Sequence, residues 1–221
     1  MLIEPNSHLY AYVVARDFGF APNPFHGYCT LATCKPNIRK GAKINDWVIG
    51  VGGQKLKNVY KKSIFLMKVT EKKSFQDYWE DDRFSLKKSQ RNGSKVQMLG
   101  DNIYHKDAQD NWIQEDSHHS NPDGTTLHGN LDRDTGSTDQ VLISECFWYF
   151  GQEAIDLDME SIGYQQGRNH KKIDLDSNIN ARNLIQHVSE KYRDDKNFII
   201  ADPNQFDDSH KRVNQDTNKI I

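Results

Sequence analysis

Between Ser85 and Gln140 more than 50 residues pass with almost no helical or strand periodicity. Isolated aromatics such as Tyr104 and Trp112 punctuate the stretch, together with His105, His118, His119 and His128. An unpatterned segment this long inside a domain is either disordered or a functional loop, and spaced aromatics favour the ordered alternative. Regular structure must therefore come from the flanks. Leu9–Ala15, Trp47–Val51, Ser63–Thr70 and Val141–Gly151 are rich in β-branched and aromatic residues and read as strands, with a further short one at Phe198–Ala201. Ser74 with Asp77 forms a helix-start signature before Phe75–Phe84, where Phe75, Tyr78 and Trp79 share a face. A second helix is expected over Ser177–Asp195, with Ala181, Leu184, Ile185, Val188 and Tyr192 on one stripe.

The 221 residues suffice for one ordinary domain with an attached extension. Mean hydropathy is low at -0.83, but 10% of residues are aromatic, which argues against a wholly disordered chain. The apolar run Cys146–Phe150 falls far short of the ~18 residues of a membrane span, so no membrane partner is expected. Met1–Pro5 has no basic region ahead of an apolar one, and three cysteines make an odd set for a disulfide framework. Both features point to a reducing, cytoplasmic setting.

A net charge of -2 conceals a separation. Residues 35–95 carry 16 Lys and Arg against 6 acids, while residues 96–160 carry 2 against 14. The two tracts either neutralise one another or leave a basic face for the phosphates of DNA, with Lys35, Arg39 and Lys40 as candidate contacts.

The strand at Leu9–Ala15 runs into Arg16–Gly27, where two prolines and two glycines forbid regular structure. Loops at strand ends commonly carry binding residues. Gly50, Gly52 and Gly53 fit neither the dinucleotide-binding nor the P-loop pattern, so no cofactor is implied. His26, Cys29 and Cys34 tempt a zinc reading, but no C-x2-C knuckle is present and i, i+5 cysteines face apart on regular backbone. No metal is expected; either cysteine remains open as a nucleophile. Asp116–Ser120 (Asp-Ser-His-His-Ser) is the densest polar constellation, open to a surface loop, a nucleotide reader or acid–base chemistry.

The segments Tyr12–Phe25, Leu31–Pro36, Asp46–Gly50, Tyr78–Phe84, Gly100–His105 and Asp116–Ser120 together resemble the second of the nucleotide-modification-associated domain families. That resemblance covers roughly residues 8 to 160 and implies a phage or bacterial protein working with DNA base hypermodification systems. A fainter resemblance, on Lys43–Val48 and on Val69–Glu71 followed by Phe75–Phe84, is to PUA-like barrels of the EVE type. The expected fold is therefore α+β: a curled, mainly antiparallel sheet, PUA-like or EVE-like, with flanking helices. Residues 1–160 are expected to form the domain and 161–221 a helical extension, its polar tail frayed beyond Asp207.

The expected site lies between the Arg16–Gly27 loop and the loops carrying Tyr104, His105 and Asp116–Ser120. Phe18, Phe20, Phe25, Trp47 or Tyr104 stacks on a base, and Asp17, Asn23, Ser117, His118 and His119 read its edge. Arg16 and Lys35 contribute charge toward phosphates. Three roles stay open: recognition of a nucleotide or modified base; an enzyme using His118 or His119 with Asp116, or Cys29 or Cys34 as nucleophile; and a non-catalytic subunit alongside modification-system proteins.

Overall fold

The computed structural model describes residues 2–167, 169–214, 217, 219 and 220. Its strands are β1 (His8–Val14), β2 (Cys29–Leu31), β3 (Trp47–Gly52), β4 (Ser63–Lys68), β5 (Glu71–Ser74), β6 (Tyr104–Lys106), β7 (Trp112–Gln114), β8 (Gln140–Ser144), β9 (Phe147–Tyr149) and β10 (Lys171–Asp174). The helices are α1 (Pro36–Gly41), α2 (Phe75–Glu80), α3 (Lys95–Met98), α4 (His128–Thr135) and α5 (Ile179–Lys191). Five strands form one sheet in the order β10-β1-β3-β4-β9, and three form a second in the order β2-β8-β5. β6 and β7 make a separate ribbon. Among the described strand pairs only β1 and β3 run parallel; the others are antiparallel. The class is thus α+β with antiparallel-dominated sheets. Among the described residues these sheets do not close on themselves, so the barrel suggested by the PUA-like motifs gains no support.

Alternation along the strands divides the core in two. Leu9 and Ala11 of β1, with Trp47 and Ile49 of β3, face Ala181, Leu184, Ile185 and Val188 of α5. Tyr10, Tyr12 and Val14 point the other way, toward Cys29, Leu31, Phe65, Met67 and Leu142. α5 starts where expected because Asn178 caps it, its side chain accepting from Ala181 N at 2.9 Å. Ser74 likewise caps α2, but that helix stops at Glu80 and yields to a 3-10 turn over Asp82–Lys87.

The expected single strand at Val141–Gly151 is instead two strands in two sheets. Ser144 makes the break: its hydroxyl donates to the Cys146 carbonyl at 2.9 Å and accepts from Cys146 N at 3.1 Å. The chain turns there and passes from the second sheet to the first. Phe198–Ala201 forms no strand, only an isolated bridge from Ile199 to Tyr149. In β3, Gly50 is required by close approach, since a Cβ there would overlap the Phe65 ring.

The long unpatterned segment is ordered and builds a third core. Leu99, Ile103, Tyr104 and Leu131 from it pack against Phe18, Phe20 and Phe25 of the first loop and Phe75, Tyr78 and Phe84. Beyond Asp207, where fraying was expected, Arg212 donates to Asp116 at 2.7 Å and Arg91 to the Ser209 carbonyl at 3.0 Å. Residues 215, 216, 218 and 221 of that tail lie outside the described residues. No helix among the described residues is long and apolar enough to cross a membrane.

Candidate functional site

After β2 the chain must reverse into α1, and it does so through two consecutive left-handed residues, Cys34 (φ 56°) and Lys35 (φ 43°). Pro36 then opens the helix, where its fixed φ is already suited. Left-handed backbone is costly for residues with a Cβ, and such conformations persist where surrounding contacts over-determine them. Here the contacts are visible. Cys34 N donates to Asp134 Oδ1 at 2.8 Å, and the Cys34 carbonyl accepts from Arg39 Nε at 2.8 Å. Arg39, fully buried on α1, also donates to the carbonyls of Gln140 and Asp134.

This turn holds the Cys34 thiol 3.7 Å from His119 Nε2, within reach of an N–H···S hydrogen bond. On its far side His119 Nδ1 lies 3.0 Å from Asp134 Oδ2. Asp134 is wholly buried and receives a fork from Arg133, Nε to Oδ1 and Nη2 to Oδ2, both at 2.8 Å. Tyr104 adds its hydroxyl to Oδ2 at 3.0 Å. Arg133 Nη2 also comes within 3.2 Å of His119 Nδ1 because both donors share one carboxylate oxygen. The His119 carbonyl is fixed by Asn130 Nδ2 at 2.8 Å and Gln114 Nε2 at 3.3 Å.

The charges follow from this packing. Burial pushes the Cys34 thiol up, but Arg133 and His119 outweigh it and bring its pKa below the ordinary thiol value. For His119 burial acts downward, and Cys34 with the Asp134 hydrogen bond reverses it, so its pKa is raised. Asp134 is raised by burial and then held well below the usual carboxylate range by His119 and Arg133. These opposite shifts favour a thiolate–imidazolium pair steadied by a carboxylate, the arrangement that activates a sulfur nucleophile.

Cys34, His119 and Asp134 also offer three ligand atoms within 4.8 Å of one another. A divalent cation there would displace the Arg133 fork and sit against its guanidinium. Both Asp134 oxygens are already engaged by donors, which fits an ion pair better than a metal centre.

The pair opens onto a hollow of about 330 Å³ whose walls include Tyr12, Arg16, Phe18, Phe20, Lys35 and His118. That is the lower end of small-ligand pocket sizes. A larger hollow of about 580 Å³ lies near Tyr60, Asp156 and Glu160 and contains none of the cysteines or histidines. His118 packs on Phe18 (4.5 Å) and Phe20 (5.1 Å), and Phe20 meets His119 edge-on at 4.6 Å. Burial first, then His119 and Arg91, push His118 down to about 3, so it is neutral.

Of the residues selected from sequence, Arg16, Phe18, Phe20, Cys34, Lys35, His118 and His119 converge on this hollow. The others lie elsewhere. Asp17 is buried against Tyr149 and Asn204, bridging to the C-terminal segment. Asn23 bonds the Leu99 carbonyl and Lys87, and Phe25 packs near Phe206. Trp47 stacks on Trp148 beneath α5, on the opposite sheet face. His105 stacks on Trp79 and pairs with Glu115. Ser117 does not line the hollow: its hydroxyl accepts from His119 N at 3.2 Å and its carbonyl from Arg212 Nε at 3.1 Å. Asp116 pairs with Arg212. Cys29 is buried beside Met67, its thiol pushed up to about 12 by burial. Lys40 is exposed on α1, whereas Arg39 is the internal clamp.

Sequence reasoning did not select Arg133 and Asp134. They sit on α4, inside the stretch without periodicity, among the 14 acids of residues 96–160. The order cysteine, histidine, acid along the chain was the available signal, and nothing in the spacing chose among the acids.

A model of the nucleotide modification associated domain 2 family matches residues 6–210. The chain belongs to that family. The match runs past residue 160, where the quoted motifs stop, and takes in β10 and α5. Every element of the Cys34 site lies within it, so the site belongs to a domain associated with nucleotide modification. No curated protein and no solved structure matches the chain.

Proposed function

We propose that this member of the family is a thiol enzyme acting on a nucleotide or on a group attached to its base. The observation that carries this reading is the linear array Cys34 Sγ, His119, Asp134, with 3.7 and 3.0 Å between partners, on the wall of a ligand-sized hollow. In the step this supports, the Cys34 thiolate adds to an electrophilic carbon and a C–S bond forms. The bond from that carbon to its leaving group breaks, and the leaving group takes the proton from His119 Nε2. An incoming water or amine, deprotonated by the now neutral His119, then attacks the carbon and expels the thiolate, which restores the ion pair. Asp134 holds the imidazole in orientation and stays ionised throughout.

Recognition without chemistry needs no ion pair at a strained turn, and the aromatic walls that suggested base stacking are largely engaged with His118 and His119. The deciding experiment follows alkylation of Cys34 by iodoacetamide against pH. The rate is expected to plateau well below the pH at which an ordinary thiol ionises, and His119→Ala is expected to move the profile up to that of an ordinary thiol. An ordinary profile in the unmodified protein would overturn the enzyme reading and favour a binding module.

A further inference from the structure

A thiolate that adds to a carbonyl carbon needs a hydrogen-bond donor for the oxygen that becomes negative, whereas displacement at a saturated carbon needs none. The donors on the wall of the Cys34 hollow therefore bear on which kind of carbon is attacked. The N–H of Cys34 itself does not serve, because it is already given to Asp134 Oδ1 at 2.8 Å.

Tyr12 is placed differently. It sits on β1 beside Gly50 of β3 and lines the hollow together with Cys34. The residue is 1% exposed, yet its hydroxyl has no hydrogen-bond partner among the described residues. Asp17, whose charge reaches that hydroxyl, is occupied by Tyr149 at Oδ1 and by Asn204 at Oδ2. Burial first, and then Cys34 ahead of Cys29 and Asp17, raise the Tyr12 pKa well above the ordinary phenol value, so the group stays a neutral donor. Its ring is pinned: Lys35 Nζ lies over it at 4.7 Å, and Phe65 meets it edge-on at 5.9 Å. A buried hydroxyl left unpaired is costly, and on the wall of a ligand-sized hollow it points to a ligand atom that satisfies it.

We infer that Cys34 attacks a carbonyl carbon and that the Tyr12 hydroxyl donates a hydrogen bond to the oxygen that becomes negative. This rests on the reading of Cys34 as the nucleophile, and it narrows the substrate to an acyl, carbamoyl or ring-carbonyl group. As the C–S bond forms, the π pair of the C=O bond moves onto oxygen, where Tyr12 holds it without giving up its proton. The pair returns to the carbon–oxygen bond as the leaving group departs with the proton from His119. Because the ring is fixed beforehand, the donor needs no reorganisation when the charge develops, which is the condition for such a group to accelerate the step.

The test compares two probes of one thiolate on the full chain. p-Nitrophenyl acetate is attacked at a carbonyl carbon and iodoacetamide at a saturated one, so the ratio of the two rates cancels the thiolate fraction. The acylation rate is that of the nitrophenolate burst abolished when Cys34 has first been blocked with iodoacetamide. Tyr12→Phe keeps the ring and is expected to slow acylation by roughly 10-fold or more while alkylation stays within about 2-fold. Its melting temperature should stay level or rise, since the hydroxyl removed has no partner in the free protein. A drop of several degrees would show that the hydroxyl is paired there, which overturns the assignment. Acylation and alkylation slowing together, or neither changing, overturns it too. In those cases an alkylation rate that plateaus at low pH, and moves up in His119→Ala, leaves Cys34 standing as the nucleophile. An ordinary thiol profile in the unmodified protein removes the nucleophile and the Tyr12 assignment with it.

Discussion

Cys34 gives its backbone N–H to the side chain of Asp134, 100 residues further along, at 2.8 Å. The same carboxylate orients His119, so one buried group fixes both the position of the sulfur and the imidazole that serves it.

Replacing that carboxylate separates its two roles. Asp134→Asn keeps an oxygen for the Cys34 N–H but removes the charge that sustains the His119 imidazolium. Two effects on Cys34 then oppose one another: Asp134 itself raises the thiol pKa, while His119 and Arg133 lower it. His119 acts through both its charge and its hydrogen bond, so its loss is expected to win. The His119 pKa should fall in an NMR titration of the ring, and alkylation of Cys34 near neutral pH should slow by roughly tenfold. An unchanged His119 titration would show that Asp134 does not sustain the ion pair.

The three cysteines should differ sharply toward the same reagent. Burial pushes Cys29 up to about 12 and raises Cys146, whereas Cys34 is lowered by its partners. Native protein treated with iodoacetamide at about pH 7 should therefore gain a single adduct, located at Cys34 by peptide mass spectrometry. Denaturation should expose the other two. Labelling of Cys29 at a comparable rate in the native state would contradict the packing described for β2.

Arg39 illustrates how far composition can mislead about purpose. From sequence it belongs to a basic tract and suggests phosphate contacts. In the fold it is fully buried and donates to the carbonyls of Cys34, Asp134 and Gln140. Arg39→Lys keeps the charge but cannot reproduce a three-way fork. We expect it to lower stability by about 2–4 kcal/mol, because buried carbonyls lose their donors. Urea unfolding followed by tryptophan fluorescence measures this; a change within about 0.5 kcal/mol, the range of ordinary surface substitutions, would remove the clamp from the account.

How much of this was legible in the chain depends on the element. β1, β3, β4 and the starts of α2 and α5 follow from alternation and capping residues, which are local signals. The break at Ser144 was not legible, since a serine bonding both sides of Cys146 looks like any residue in a strand. His118, His119, Phe18, Phe20 and Lys35 were selected for their chemistry and do share one hollow. Trp47 was selected for the same chemistry, but strand alternation turns it to the opposite face. Asp134 was overlooked because its importance comes from a contact 100 residues away, and no local pattern encodes such a contact. The opposite charges of the two tracts proved partly internal, with Lys87 of the basic tract and Asp101 of the acidic one buried in one network.

That network supports the last expectation. Lys87 Nζ donates to Asn23 Oδ1 at 2.7 Å, the Tyr28 carbonyl at 3.0 Å and Thr30 Oγ1 at 3.1 Å. Thr30 passes the interaction on, donating to Asp101 Oδ2 at 2.6 Å, while Tyr78 donates to Asp101 Oδ1 at 2.9 Å. Burial pushes Lys87 down to about 8 and Asp101 up to about 6, each partly offset by the other's charge. Lys87→Met leaves a buried carboxylate without its cation and three acceptors without a donor, and should cost about 3–5 kcal/mol. The pH dependence has a definite sign. A lysine depressed in the folded state binds its proton more weakly there than in the unfolded chain, so its contribution to stability grows as pH rises from about 8 toward the ordinary lysine value and shrinks as pH falls back through about 8. The stability difference between the unmodified protein and Lys87→Met, measured by urea unfolding, should therefore widen across that interval. A difference that stays flat or narrows would mean that Lys87 keeps an ordinary pKa in the folded protein.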